Sequence, residues 1–131
     1  MFIRYQVHIE SFANRHFIKS FAKKYKKVWD LTMSVLVEEF EKIDALLLRS
    51  IAEEITDGNA DVVICKTEFK ISGKQESRKA SGNRCIVAKH KNINKVCVLL
   101  VYHKNDLGGG NETVNWKDLI KENYPEYGNL L

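Results

Sequence analysis

Ile3, Tyr5, Val7 and Ile9 alternate with Phe2, Arg4, Gln6 and His8 at the start of the chain. That period of two predicts a strand over residues 2–9. The period then changes. Ser11 is suited to cap a helix, because its hydroxyl can accept from an orphan backbone N–H. Phe17, Phe21 and Tyr25 recur every four residues and predict one apolar helical stripe reaching to about residue 26. A second, longer helix is predicted from Asp30, with Met33, Leu36, Phe40, Ile43, Leu47, Ile51 and Ile55 at steps of three or four. Asp57-Gly58-Asn59 supplies its stop.

Three strands are then predicted, over residues 62–71, 84–91 and 95–104, with a polar loop at 72–83. The Gly108-Gly109-Gly110 loop leads to a short helix over about 112–123, carrying Trp116, Leu119 and Ile120 and stopped by Pro125. The order β-α-α-β-β-β-α predicts a small α+β fold, an antiparallel sheet with two N-terminal helices packed on one face and a short C-terminal helix. At 131 residues the chain is expected to form a single domain, 1–131.

Alternation within the second strand puts Cys65, Thr67, Phe69 and Ile71 on a core face and Lys66, Glu68 and Lys70 on a charged one. The hairpin depends on its turn. A three-residue loop, Asn92-Ile93-Asn94, sets Lys91 opposite Lys95 and therefore Arg84 opposite Tyr102, with Lys104 nearby. A two-residue loop would slip the register and pair Arg84 with His103. Either register sets an arginine beside a group capable of proton transfer.

Charge sharpens this picture. Residues 66–104 hold ten Lys or Arg against two Glu, on and between predicted strands, while residues 30–57 hold eight acidic and two basic side chains. Such asymmetry in a chain of net charge +4 points to an anionic partner on one side. Cys65, Cys85 and Cys97 lie in apolar runs without CxxC spacing and read as small core residues of a reducing compartment. No apolar run reaches membrane-spanning length, and MFIRYQVHIESF lacks the long apolar region of a signal peptide, so the cytoplasm is the expected location. HExxH, P-loop and GxGxxG motifs are absent, and no metal or cofactor is expected. His8, His16 and His90 read as structural or solvated.

The ordered series Lys66-Thr67-Glu68-Phe69-Lys70, the basic loop from Ser72 through Lys74, Arg78, Lys79, Ser81 and Gly82 to Arg84, and the hairpin end Tyr102-His103-Lys104-Asn105-Asp106 resembles the RelE/ParE superfamily of bacterial toxin–antitoxin systems. Glu112, Trp116 and Leu119-Ile120 match its closing helix, and the nearest branch is the RelE-like, HigB-type mRNA-cleaving toxins. The chain departs from the pattern where Ser81-Gly82 replaces a usual Gly-Gly pair and where Lys66 and Lys70 stand at common arginine positions. The resemblance implies a RelE-like fold and a cytoplasmic endoribonuclease that cuts mRNA on the ribosome and arrests translation. It also implies a cognate antitoxin protein as partner. The same superfamily includes ParE-like members that inhibit DNA gyrase and cleave nothing, and a non-catalytic RNA-binding member is a further alternative.

Metal-free cleavage needs a base for the 2′-hydroxyl, cations for the scissile phosphate and an acid for the departing 5′-oxygen. Arg84 is the candidate phosphate stabiliser, since guanidinium grips two oxygens at once. Lys70 and Lys79 add positive field, and Lys66, Lys74 and Arg78 are candidate RNA-binding residues. Tyr102 is a candidate for base stacking or proton donation, with Lys104 lowering its pKa. His103 and Lys104 are the other proton-transfer candidates. Glu68 is expected to form a salt bridge to Lys66 or Lys70.

Overall fold

The structure is a computed structural model and describes residues 3–131. It is α+β, built on one five-stranded mixed sheet of order β1-β5-β4-β3-β2. β1 (Gln6–Ile9) is followed by α1 (Ser11–Ala13), which runs through a π-helical stretch, Asn14–Ile18, into α2 (Lys19–Lys24). α3 (Trp29–Glu41) and α4 (Ile43–Leu48) come next, then β2 (Ala52–Glu54) and β3 (Val62–Phe69). A one-turn helix, α5 (Arg78–Ser81), precedes β4 (Asn83–His90) and β5 (Lys95–His103). The chain closes with α6 (Glu112–Asn123) and α7 (Pro125–Gly128). Phe2, which the alternation placed in the first strand, lies outside the described residues.

Several expectations give way. The sheet is not wholly antiparallel, because β1 runs parallel to β5. The long second helix bends at Lys42 and ends at Leu48, and Ser50 adopts φ 60°. Ala52–Glu54 then pairs antiparallel with β3 as an extra edge strand. Ala52 enters the core while Glu53 and Glu54 face solvent, so the helical spacing of Ile51 and Ile55 is coincidental. Ser11 does not cap. Glu10 occupies the N-cap without a side-chain bond, and Asp30 lies in the first turn of α3 behind Val28.

Helices cover both faces of the sheet. Cys65, Phe69, Cys85, Val87 and Val98 pack on Phe21, Trp29, Leu36 and Phe40 from α2 and α3. On the opposite face Ile64, Ile86, Leu100 and Tyr102 pack on Trp116, Ile120, Tyr124 and Tyr127. The π-helical stretch divides the Phe17–Phe21–Tyr25 stripe, since Phe17 joins the second core and Phe21 the first. The three cysteines are buried and free, and burial pushes the Cys65 thiol up to about 12.

The hairpin pairs Arg84 with Tyr102 as expected, but by a different route. Its loop is one residue longer than predicted, since His90 pairs with Lys95. The register then shifts between Ile86 and Val87, where Leu99 is the extra residue of a β-bulge. The Leu99 carbonyl accepts the Tyr124 hydroxyl at 2.9 Å. Bulge and longer loop cancel, and the Arg84–Tyr102 pair is restored.

Candidate functional site

Phe69, Asn83 and His103 lie side by side, which brings the end of β3, the start of β4 and the end of β5 to one edge. The intervening loop is fixed from within. Ser77 caps α5 by accepting from the Ala80 N–H at 3.1 Å. Ser81 Oγ lies 2.6 Å from the Phe69 carbonyl and accepts from the Asn83 N–H at 3.0 Å, tying the two strands together. Gly82 turns with φ 77°, and a Cβ there would come within 2.5 Å of His103 Nε2. The Gly82 carbonyl accepts the Lys104 N–H at 2.8 Å.

Beneath this edge, on the face covered by α6, the register aligns Glu68, Arg84 and Tyr102 across three strands. That face is not the solvated charged surface the alternation suggested. Glu112, in the first turn of α6, projects into it. Its Oε2 accepts Tyr102 Oη at 2.8 Å and Lys66 Nζ at 3.0 Å, and lies 4.0 Å from Arg84 Nε. Glu68 Oε1 is 3.9 Å from the same Nε. Arg84 is 6% exposed, and its Nη1 and Nη2 donate to the Asn83 and Lys79 carbonyls at 3.1 and 3.4 Å. The guanidinium thus braces the loop from below.

Three expected roles change accordingly. Tyr102 is 1% exposed, so its ring cannot stack on a base from solution. Its phenol is raised well above the ordinary value, by burial first and by the Glu112 hydrogen bond and charge next, against a smaller opposing pull from Arg84. Glu68 belongs with Arg84 rather than with Lys66 or Lys70. Arg78 is held by the Glu39 carboxylate of α3 and donates to the Glu68 carbonyl at 3.2 Å, so it joins helix to sheet. For Glu112, burial acts to raise the pKa, but hydrogen bonds from Tyr102 and Lys66 and the charges of Lys66 and Arg84 hold it below the ordinary 4.5.

The remaining candidates lie outside this network. Lys70, Lys74, Lys79 and Lys104 are exposed, and none is paired with a carboxylate among the described residues. Lys70 follows β3, Lys79 sits in α5 and Lys104 follows β5, so these three ring the strand ends. His103 is half-buried, and its Nδ1 accepts the Asn105 N–H at 3.1 Å. Elsewhere the acidic segment folds back on basic partners, with Asp44 holding Lys89 at 3.1 Å and accepting Tyr5 Oη at 3.0 Å.

A cleft of about 510 Å³ opens beside His103, between α2 with the preceding π-helical stretch and the ends of β4 and β5. His16, Lys24, Tyr25 and Asn83 line it together with His103. Sequence reasoning set His16 aside and did not single out Asn83, Lys24 or the partnership of Glu112. The aromatic residues at four-residue spacing were the one available signal for the cleft wall. Nothing local in the chain announces that Glu112 meets Tyr102 across the Gly108–Gly110 loop. Among the described residues no helix is long and apolar enough to cross a membrane, and no cluster of three His, Cys, Asp or Glu is placed to hold a metal ion. No known protein family, curated protein or solved structure matches this chain.

Proposed function

We propose that this chain is an RNA-directed toxin of the RelE-like kind, which cuts mRNA on the ribosome without a metal and is restrained by an antitoxin protein. The observation that carries the reading is the convergence of unpaired Lys70, Lys79 and Lys104 around His103 at one sheet end. Solvent-reached cations at the strand ends near an imidazole suit a phosphodiester, binding the chain by charge and offering a hydrogen-bonding group at the reacting atoms. Arg84 supports this surface from beneath by holding the Lys79 and Asn83 carbonyls.

One observation favours a second reading, a protein that binds RNA without turning it over. Arg84 and Tyr102, the expected phosphate stabiliser and proton donor, are both sequestered by Glu112. One experiment separates the two. The protein is induced in cells, and mRNA ends are mapped by primer extension for wild type, His103→Gln and Lys104→Ala. The cleaving toxin gives cuts within reading frames that fade in both variants. Intact mRNA during growth arrest rejects cleavage, and retained affinity of the purified protein for RNA then leaves the binding reading.

A further inference from the structure

We propose that the cleft between the π-helical stretch with α2 and the ends of β4 and β5 is a pocket for one unpaired ribonucleotide. Its base would stack on the aromatic wall and have its edge read by Asn83. The inference rests on the RNA-directed reading above and assigns that surface a recognition site.

Asn83 makes the strongest case. The residue is 3% exposed and lines the cleft. Its backbone N–H and carbonyl are both bonded, to Ser81 Oγ and Arg84 Nη1. Its side-chain amide makes no hydrogen bond among the described residues and is not sealed from solvent either, since Trp116 Nε1 is the one buried side-chain polar atom there without a partner, so the amide is reached through the cleft. A carboxamide offers a donor and an acceptor side by side, the pattern that matches a nucleobase edge.

The walls suit the rest of a nucleotide. Phe17 and Tyr25 are half-buried and present ring surface, and Lys24 Nζ sits 5.4 Å from the Tyr25 ring centroid. Aromatic rings beside a lysine are how proteins hold an unstacked base and its phosphate. Among the described residues Asp106 is the one acidic residue lining the cleft, and Lys24 supplies its cation for a phosphate.

The two imidazoles are set in opposite hydrogen-bonding states. His16 Nδ1 lies 3.3 Å from the Phe12 carbonyl, which can only accept, so Nδ1 carries a proton and, in the neutral ring, Nε2 is the acceptor. The ring is also stacked on Phe12, with centroids 4.2 Å apart. His103 Nδ1 accepts from the Asn105 N–H, so its proton lies on Nε2. With both rings neutral, the cleft offers one imidazole acceptor and one imidazole donor. His16 owes its place to the π-helical stretch, a distortion that recurs at functional sites.

A larger cleft, about 600 Å³ along β2 and β3, is a poorer fit. Glu53, Glu54 and Glu68 line it against Lys66 and Lys79, so it repels a phosphate.

The test titrates the full chain with adenosine 3′-monophosphate and uridine 3′-monophosphate, with inorganic phosphate as control. The His16 and His103 ring-proton NMR signals give the readout. Both imidazoles are expected to shift with the nucleotides and not with phosphate alone. Tyr25→Ala and Asn83→Ala should each weaken binding roughly tenfold, as for lost base stacking and edge contacts, while Lys121→Ala, on the exposed side of α6 and outside the cleft, should change it less than about twofold. Tyr25→Ala keeps the test decisive if Asn83→Ala unfolds. Nucleotides that shift neither imidazole, nucleotides that act only as phosphate does, or a folded Tyr25→Ala that binds as wild type each overturn the proposal. Nucleotide binding with intact cellular mRNA would reject cleavage and leave the pocket standing. Wild-type cutting by pocket variants whose nucleotide affinity is also unchanged would reject the pocket alone.

Discussion

Arg84 and Lys66 lie on the covered face of the sheet and direct their charge at Glu68 and Glu112. Lys70, Lys74, Lys79 and Lys104 come from the same basic stretch of chain and meet no carboxylate among the described residues. The first group is part of how the domain holds together, and the second is available to an outside anion. A count of positive charges merges them. What separates them is whether a helix closes over the strand face, and α6 does so because Trp116 and Ile120 need that apolar surface.

The comparison predicts its largest effect at Arg84. Arg84→Ala leaves Glu68 and Glu112 without their shared cation and two loop carbonyls without a donor. A loss of about 3 kcal/mol in chemical denaturation is expected, as for a broken buried pair. Loss of the proposed activity in this variant would therefore not identify a catalytic arginine. If Arg84→Ala denatures within about 0.5 kcal/mol of wild type, the division into closed and open cations is wrong.

Glu112→Gln comes next, with an expected loss of about 2 kcal/mol at neutral pH, because charge-assisted bonds to Lys66 and Tyr102 are weakened. Its pH dependence has a defined sign. The carboxyl is held below 4.5 in the folded chain, so its stabilisation is complete above 4.5 and disappears as pH falls through the lower folded value. Denaturation of wild type and Glu112→Gln across acid pH should show the gap closing on acidification. A gap that stays constant would mean that the ion cluster contributes nothing. The same variant should bind heparin more tightly than wild type, since it returns one net positive charge to this end of the sheet.

Much of the architecture was legible because it follows periodicity. β3, β4, β5 and α6 fall close to where alternation and helical spacing predict them, and the core face of β3 is the expected one. The failures have physical causes. Ile51 and Ile55 continue a helical spacing by chance, and no Gly or Pro marks the turn at Ser50, so β2 read as helix. The bulge at Leu99 is invisible in an unbroken apolar run, and only its cancellation against a longer loop preserved the Arg84–Tyr102 pair. Charge was misread for the opposite reason: Lys66, Glu68 and Arg84 look exposed on their own strands, and the closing element comes from residues far along the chain. Within the candidate site the chain marked His103 and the lysines, but it gave no sign that the Asn83 amide would open into the cleft without a protein partner.

Gly82→Ala should act at the boundary between the two groups, with an intermediate cost of about 1–2 kcal/mol. The position needs φ 77°, and the new Cβ would press on His103 Nε2. The His103 ring must then move, so its NMR signals should shift while those of His90, at the far end of the hairpin on the Tyr127 hydroxyl, stay in place. Unchanged His103 signals would show that the glycine serves the turn alone.

The smallest effect on folding is expected at the open lysines, and there the comparison becomes a question of function. Lys70→Ala, Lys79→Ala and Lys104→Ala remove no bonded partner, so each should leave stability within about 0.5 kcal/mol of wild type. If these side chains meet phosphates, each removal should weaken RNA binding similarly across sequences and reduce the salt-dependence slope of log affinity by about one. Arg78→Ala is the internal contrast. It belongs to the same basic loop but is bound to Glu39, so it should lower stability and leave the salt slope nearly unchanged. Equal slopes for Arg78→Ala and Lys79→Ala would mean that the Arg78–Glu39 bridge opens to admit RNA, and the line between closed and open cations would then have to be drawn by exchange with the ligand rather than by pairing in the free protein.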